Sequence, residues 1–235
     1  MGRYSDQCVK KTLDAYRGGL TAAQIANGMN AACENANRLA DDAHILLDAA
    51  RIPSALAVAI LAIEETGKIS ILRRLAIATN DREISDAWKE YRSHTSKNVM
   101  WMFPALIAGG ARKLEDFRPL FSGSSDHPFV LDQLKQISFY TDCLGKAHWS
   151  VPCEVIDESL ARSIVMTAKL LAGKPTHTEK EVALWSEHMR PAYASRDLDL
   201  MKHALTKWHA AMHANGLTTG DADGMDRFIF EGIRP

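Results

Sequence analysis

Apolar positions recur at spacings of three and four along most of the chain, while runs alternating at every second residue are scarce and no Asn-Gly turn joins two of them. The periodicity is that of helices and no strand pattern stands out, so the pattern predicts an all-α protein. A first helix is expected over Thr21–Ala50. Thr21 is placed to cap it, with Gln24 at the capping-box position, and Ile25, Met29, Ala32, Ala36, Leu39, Ala43, Leu46 and Leu47 form its buried stripe. Pro53 suits the first turn of a second helix, which runs to about Ala78. Its first half is apolar nearly all round, so it is expected at the centre of the bundle. A third helix is expected from about Ile84 to Ala108, kinked or ended at Pro104.

Beyond Gly109 the pattern loosens. A loop with one short helical piece, Arg112–Phe117, leads into a linker at Phe121–Pro128, and Val130–Tyr140 fits strand or helix equally. Helices are expected again over Glu154–Ala172, Glu179–Tyr193 (capped by Thr178) and Leu198–Ala214, ahead of a loose tail of some twenty residues. The natural division is a bundle core over 1–120, with a helical C-terminal part, 121–235, packed on the same bundle.

Composition narrows the function classes. Apolar residues make up 46% and charged residues 24%, ordinary for a globular chain, and 28 Lys+Arg against 29 Asp+Glu leave a net charge of -1. A surface coated throughout with positive charge is excluded, although a local basic patch is not. The longest apolar run, Ile52 to Ile63, is too short for a bilayer, which needs around 20 residues. The start, from Met1, lacks the apolar core of a signal peptide, and Asp6 stands where a myristoylation pattern wants Ser or Thr. A cytoplasmic protein with no membrane partner is expected. Cys8, Cys33, Cys143 and Cys153 contain no Cys-x-x-Cys pair, and read as reduced thiols.

Two segments carry candidate chemistry. In ARIPSALAVAILAIEETGK, Glu64 and Glu65 interrupt an apolar helix, and Lys68 lies one turn after Glu64. A charge there needs a partner. One reading pairs Glu64 with Lys68 structurally. The other makes Glu65 or Glu64 orient a catalytic residue of a neighbouring helix, with Gly67 allowing that helix to approach closely. In WKEYRSHTSKN, a regular helix would put Tyr91, His94, Lys97 and Asn98 on one face and turn Arg92 away from His94. That segment reads either as a solvated polar face or as a His-containing basic site for a phosphodiester, with His as acid or base and Arg and Lys stabilising charge on phosphorus.

These two segments, followed by QISFYTDCLGKAHWSVPCEVI with its Tyr140-Thr141-Asp142, Trp149 and Pro152, resemble the AbiV family of abortive-infection proteins, a branch of the HEPN superfamily. The resemblance spans roughly residues 20–172. It implies a HEPN-type helical bundle with a helical C-terminal extension, a homodimer, and a role in blocking phage growth by arresting growth or translation. Many HEPN proteins cut RNA without a metal through an Arg-x(4–6)-His motif. Here Arg92 and His94 are separated by one residue, while Arg38–His44 and Arg196–His203 match the spacing only as often as chance supplies. Carried over by block, Arg92, His94, Lys97 and Glu65 are the candidate catalytic residues, and Glu64, Lys68, Tyr91 and Asn98 the candidate binding residues.

On this reading the protein acts on RNA, tRNA or another translation RNA, with no cofactor and no metal, and a phage-encoded protein is a candidate activator. The alternative is a non-catalytic helical protein that docks such an activator or the translation machinery. A plain adaptor bundle is a third reading. His209 and His213 sit at a spacing zinc can use, but with His203 they form no complete ligand set and lack the Glu of HExxH. His127, His148, His177 and His188 are scattered and read as incidental, and neither Cys143 nor Cys153 has a paired His beyond His148.

Overall fold

A computed structural model describes residues 14–122, 125–173 and 176–233. Met1, Asp6 and Cys8, used above, lie outside the described residues. Among the described residues the chain is all-α apart from one small hairpin. Its helices are α1 (Ala22–Asp48), α2 (Ile52–Ile77), α3 (Asp81–Arg92), α4 (His94–Lys97), α5 (Phe103–Ala108), α6 (His127–Phe139), α7 (Pro152–Val155), α8 (Glu158–Leu171), α9 (Glu179–Ser195), α10 (Leu198–Ala214) and α11 (Gly224–Asp226).

The first two helices are the frame. Thr21 and Gln24 form the expected capping box on α1. A three-residue turn reverses the chain, with Ala50 left-handed at φ 56° and the Arg51 N–H closing on the Leu46 carbonyl at 2.8 Å. Ala36, Ala40 and Ala43 of α1 and Ala55, Ala59 and Ala62 of α2 are fully buried in one cluster, and side chains this small let the two backbones approach closely. α6 and α8 add Leu131, Ala161, Ile164, Val165 and Ala168 to that cluster. Towards the other end of the pair, Ile25, Met29, Ile71, Leu72 and Leu75 pack with Trp88 of α3 and Val182 of α9. No helix among the described residues is long and apolar enough to cross a membrane.

Several elements differ from expectation, among them the Glu154–Ala172 helix, which is split into α7 and α8 at Ile156–Asp157. The third helix does not run from Ile84 to Ala108. It stops at Arg92, because Ser93 takes an extended conformation (φ -80°, ψ 130°) and uses its hydroxyl to cap α4 through the Ser96 N–H. A 3₁₀ turn, Val99–Met102, and α5 follow. The ambiguous segment is helix α6, and the end of the presumed linker, His127-Pro128, is its first turn. Asp142–Leu144 and His148–Ser150 pair as antiparallel strands (β1 and β2) with Cys143 opposite Trp149. Strands of three residues are too short for alternation to be legible. The tail is anchored rather than loose: Ile229 is buried, Phe228 packs on Phe117, and the Ile233 N–H binds the Arg112 carbonyl at 2.9 Å.

Candidate functional site

The break at Ser93 swings α4 onto α2, where Gly67 makes the approach possible. A Cβ at Gly67 would lie 2.1 Å from the Lys97 carbonyl oxygen, so no other residue fits without moving a backbone. The following turn is stitched to the start of α6. Asn98, fully buried, donates to the Pro128 carbonyl at 3.3 Å, and the Trp101 indole donates to the His127 carbonyl at 3.0 Å. The His127 ring bridges Ser125 Oγ (2.5 Å) and the Val99 carbonyl (2.9 Å). Since a carbonyl can only accept, Nε2 carries the ring proton and Nδ1 accepts from the serine.

Three helices therefore converge on Glu64, whose side chain is only 4% exposed. His94 Nδ1 lies 2.7 Å from Oε2, Lys135 Nζ 2.5 Å from Oε1 and Lys97 Nζ 3.6 Å from Oε2. Asp132 completes the group, its Oδ1 2.8 Å from Lys135 Nζ. Both lysines are buried, Lys97 8% and Lys135 6% exposed, whereas the His94 side chain is 55% exposed. A carboxylate only accepts, so Nδ1 donates, and Nε2 is left without a partner among the described residues. Burial pushes the Lys97 ammonium below the ordinary lysine range, with Glu64 opposing. For Lys135 burial acts in the same sense, but hydrogen bonds to Asp132 and Glu64 together outweigh it and hold its pKa above the ordinary value.

Glu64, His94 and Asp132 bring three potential ligand atoms within 4.8 Å of one another, a density of donors that a divalent ion can use. The Lys135 ammonium already sits against both carboxylates, and its charge opposes a second cation between them.

The remaining candidates lie elsewhere. Lys68 pairs with Glu65 at 2.6 Å rather than with Glu64, because Glu64 points inward to α4 and α6. The Lys68 ammonium also lies 5.2 Å from the centre of the Tyr91 ring. Arg92 is not brought to Glu64: its guanidinium donates to the Trp88 carbonyl (3.1 Å) and the Tyr16 carbonyl (2.6 Å) and stacks over the Trp88 indole. His209 and His213 bind the carbonyls of Ala222 and Gly220, each at 3.2 Å, which ties down the loop after α10.

Sequence reasoning missed Lys135 and Asp132 because the segment holding them was ambiguous. Read as a helix, it carries Leu131, Lys135 and Ser138 on its buried stripe, and a lysine at a core position is the signal. It also missed a second network. His177 contacts both Glu181 oxygens at 3.0 Å through Nδ1 and Cys33 Sγ at 3.8 Å through Nε2, while Arg73 binds Glu181 at 2.9 Å. His177 is therefore structural rather than incidental.

The model of the HEPN_AbiV family matches residues 24–173, from the first turn of α1 to just past α8. This chain belongs to the AbiV family. Every residue of the Glu64 group falls inside the matched span, and α9 to α11 lie beyond it. Membership associates the chain with abortive infection, the defence in which an infected cell stops growing and the phage with it. No curated protein and no solved structure matches the chain.

Proposed function

We propose that this AbiV protein arrests growth or translation during phage infection as an endoribonuclease whose acid–base group is His94. The observation that carries the reading is the orientation of that ring. Glu64, buried and clamped by Lys135 and Lys97, fixes Nδ1, and the exposed Nε2 is free to meet a ligand. A histidine so held suits proton transfer, because its tautomer and orientation are set before substrate arrives.

In the reaction, Nε2 takes the proton of a ribose 2′-hydroxyl as its oxygen bonds to phosphorus. The 5′-oxygen then leaves with a proton, giving a 2′,3′-cyclic phosphate. One imidazole supplies the base. In a homodimer a second copy's histidine supplies the acid, consistent with there being one exposed histidine in the group. Single-stranded loops, tRNA among them, present the 2′-hydroxyl in the required freedom. The chemistry needs neither cofactor nor metal. A phage-encoded activator would act by setting the dimer or uncovering the site.

One observation favours a second reading, in which the protein docks a partner without catalysis: Arg92 faces away from the Glu64 group and both lysines are buried, so His94 has no exposed cation of that group beside it. The discriminating experiment is incubation of purified protein with bacterial RNA in EDTA, wild type beside His94→Ala. Cleavage by the wild type alone supports the nuclease. Equal cleavage by both removes His94 from the mechanism. No cleavage by either, with RNA or phage lysate present, transfers the weight to the docking protein.

A further inference from the structure

Arg92, turned away from Glu64, lines a different feature. An open cleft of about 390 Å³ is bordered by Arg17, Ser85, Trp88, Lys89, Arg92 and Ser93. Three of these six are cationic, two are hydroxyl-bearing and none is acidic.

The cleft is built rather than incidental. The segment before α1 is fastened to α3 on both sides of Arg17: Arg92 donates to the Tyr16 carbonyl (2.6 Å) and the Trp88 indole to the Gly18 carbonyl (2.9 Å). The Tyr16 ring also packs edge-on against Trp88. Arg17 is thus held over the helix by its neighbours' backbones, while its own guanidinium is exposed and has no ion-pair partner among the described residues. Arg92 is fixed by two hydrogen bonds and by stacking on Trp88, so little side-chain freedom is lost when a ligand meets it. Lys89 is drawn to Asp86 at 2.9 Å, one turn back on an exposed surface, a contact a stronger anion can replace.

One fixed guanidinium (Arg92), one exposed guanidinium (Arg17), a flexible ammonium and hydroxyls around an open cleft suit a phosphate. The cleft ends one residue short of the proposed reaction centre along the chain: Ser93 lines it and the next residue is His94. We propose that the Arg17–Lys89–Arg92 cleft binds a backbone phosphate of a single-stranded RNA next to the one at His94. This inference rests on the RNA reading above. It gives Arg92 and His94 separate tasks on one strand, so their close spacing in the sequence no longer requires both at one phosphorus atom.

The test is fluorescence anisotropy with a labelled single-stranded RNA of about 12 nucleotides. The variants are Arg17→Ala and Lys89→Ala, whose exposed side chains leave folding undisturbed, with Arg38→Ala on α1 as a control removing the same charge elsewhere. The expected result is about threefold to tenfold weaker binding for Arg17→Ala and Lys89→Ala, with a salt slope lowered by about 0.7 for each, and little change for Arg38→Ala. RNA binding that all three variants retain equally overturns the cleft and leaves the RNA reading standing. No RNA binding by the wild type overturns both. A wild type that binds inorganic phosphate through Arg17 but not the RNA also overturns the proposal, since the cleft then serves a small anion.

Discussion

Two buried glutamates in this molecule each hold a histidine through Nδ1 and collect cations from neighbouring helices. At Glu64 the histidine is His94 and the cations are Lys97 and Lys135. At Glu181 they are His177 and Arg73. The ingredients are alike, and the difference lies on the far side of each ring. The Nε2 of His94 opens to solvent on a side chain that is 55% exposed, whereas that of His177 is turned to Cys33 on a side chain only 15% exposed. Asn30 also clamps the His177 backbone, with two hydrogen bonds of 2.8 Å. A carboxylate-held histidine is available for chemistry when its second nitrogen is open, and is a latch when that nitrogen is spent. The Glu64 group lies wholly inside residues 24–173, while the Glu181 group ties that span to α9 beyond it.

The sharpest way to break the comparison is to remove each carboxylate. Glu64→Ala strands the buried Lys97 ammonium and leaves Lys135 with Asp132 alone, and should cost about 3–5 kcal/mol in urea unfolding. Glu181→Ala should cost less, about 1–3 kcal/mol, because Arg73 is partly exposed and keeps its stacking on Trp185 and Trp208. Equal losses would mean the two glutamates do the same work.

Next in size is a pH effect confined to the latch. The hydrogen bond to Cys33 and then that to Glu181 raise the His177 pKa from 6.5 to about 9. The folded value lies above the unfolded one, so this stabilisation is complete below pH 6.5 and drains away as pH rises from 6.5 to 9. At 1.36 kcal/mol per unit it amounts to about 3 kcal/mol. Unfolding free energies across that interval should fall in the wild type and flatten in His177→Gln. A slope that persists in the variant would assign it to another group.

Gly67→Ala should cost about 1–3 kcal/mol and separate His94 from Glu64, because the added methyl collides with the Lys97 backbone. Thermal unfolding measures the first effect, and the RNA assay the second. The smallest change is expected on α1, near Asn30. At Gly28 a methyl meets Leu72, at 3.4 Å from Cδ1 and 3.9 Å from Cδ2, so Gly28→Ala should be neutral or add up to about 1 kcal/mol of stability. A marked loss there would show that the latch tolerates less than its geometry implies.

The helices were legible because their information is local. Thr21 with Gln24, Pro53 and Thr178 mark starts by chemistry that acts within one turn, and the periodic stripes mark the faces. The break at Ser93 was not read in advance, although its hydroxyl caps α4 locally; what the break serves, the docking of α4 on Gly67, involves a residue 26 positions earlier. The role of Gly67 as a place of close approach was readable from its missing side chain. The partners of Glu64 were not: sequence spacing offered Lys68, and only the packing of α6 supplied Lys135. The Cys33–His177 contact joins residues 144 positions apart, beyond the reach of any local pattern.

The contact at Gly67 has a mechanical side. α4 rests on α2 backbone to backbone, with no compliant side chain between them. The seat of the four-residue helix that carries His94 is thus set by the backbone of the central helix itself, and not by a side chain that could be exchanged for another of similar size.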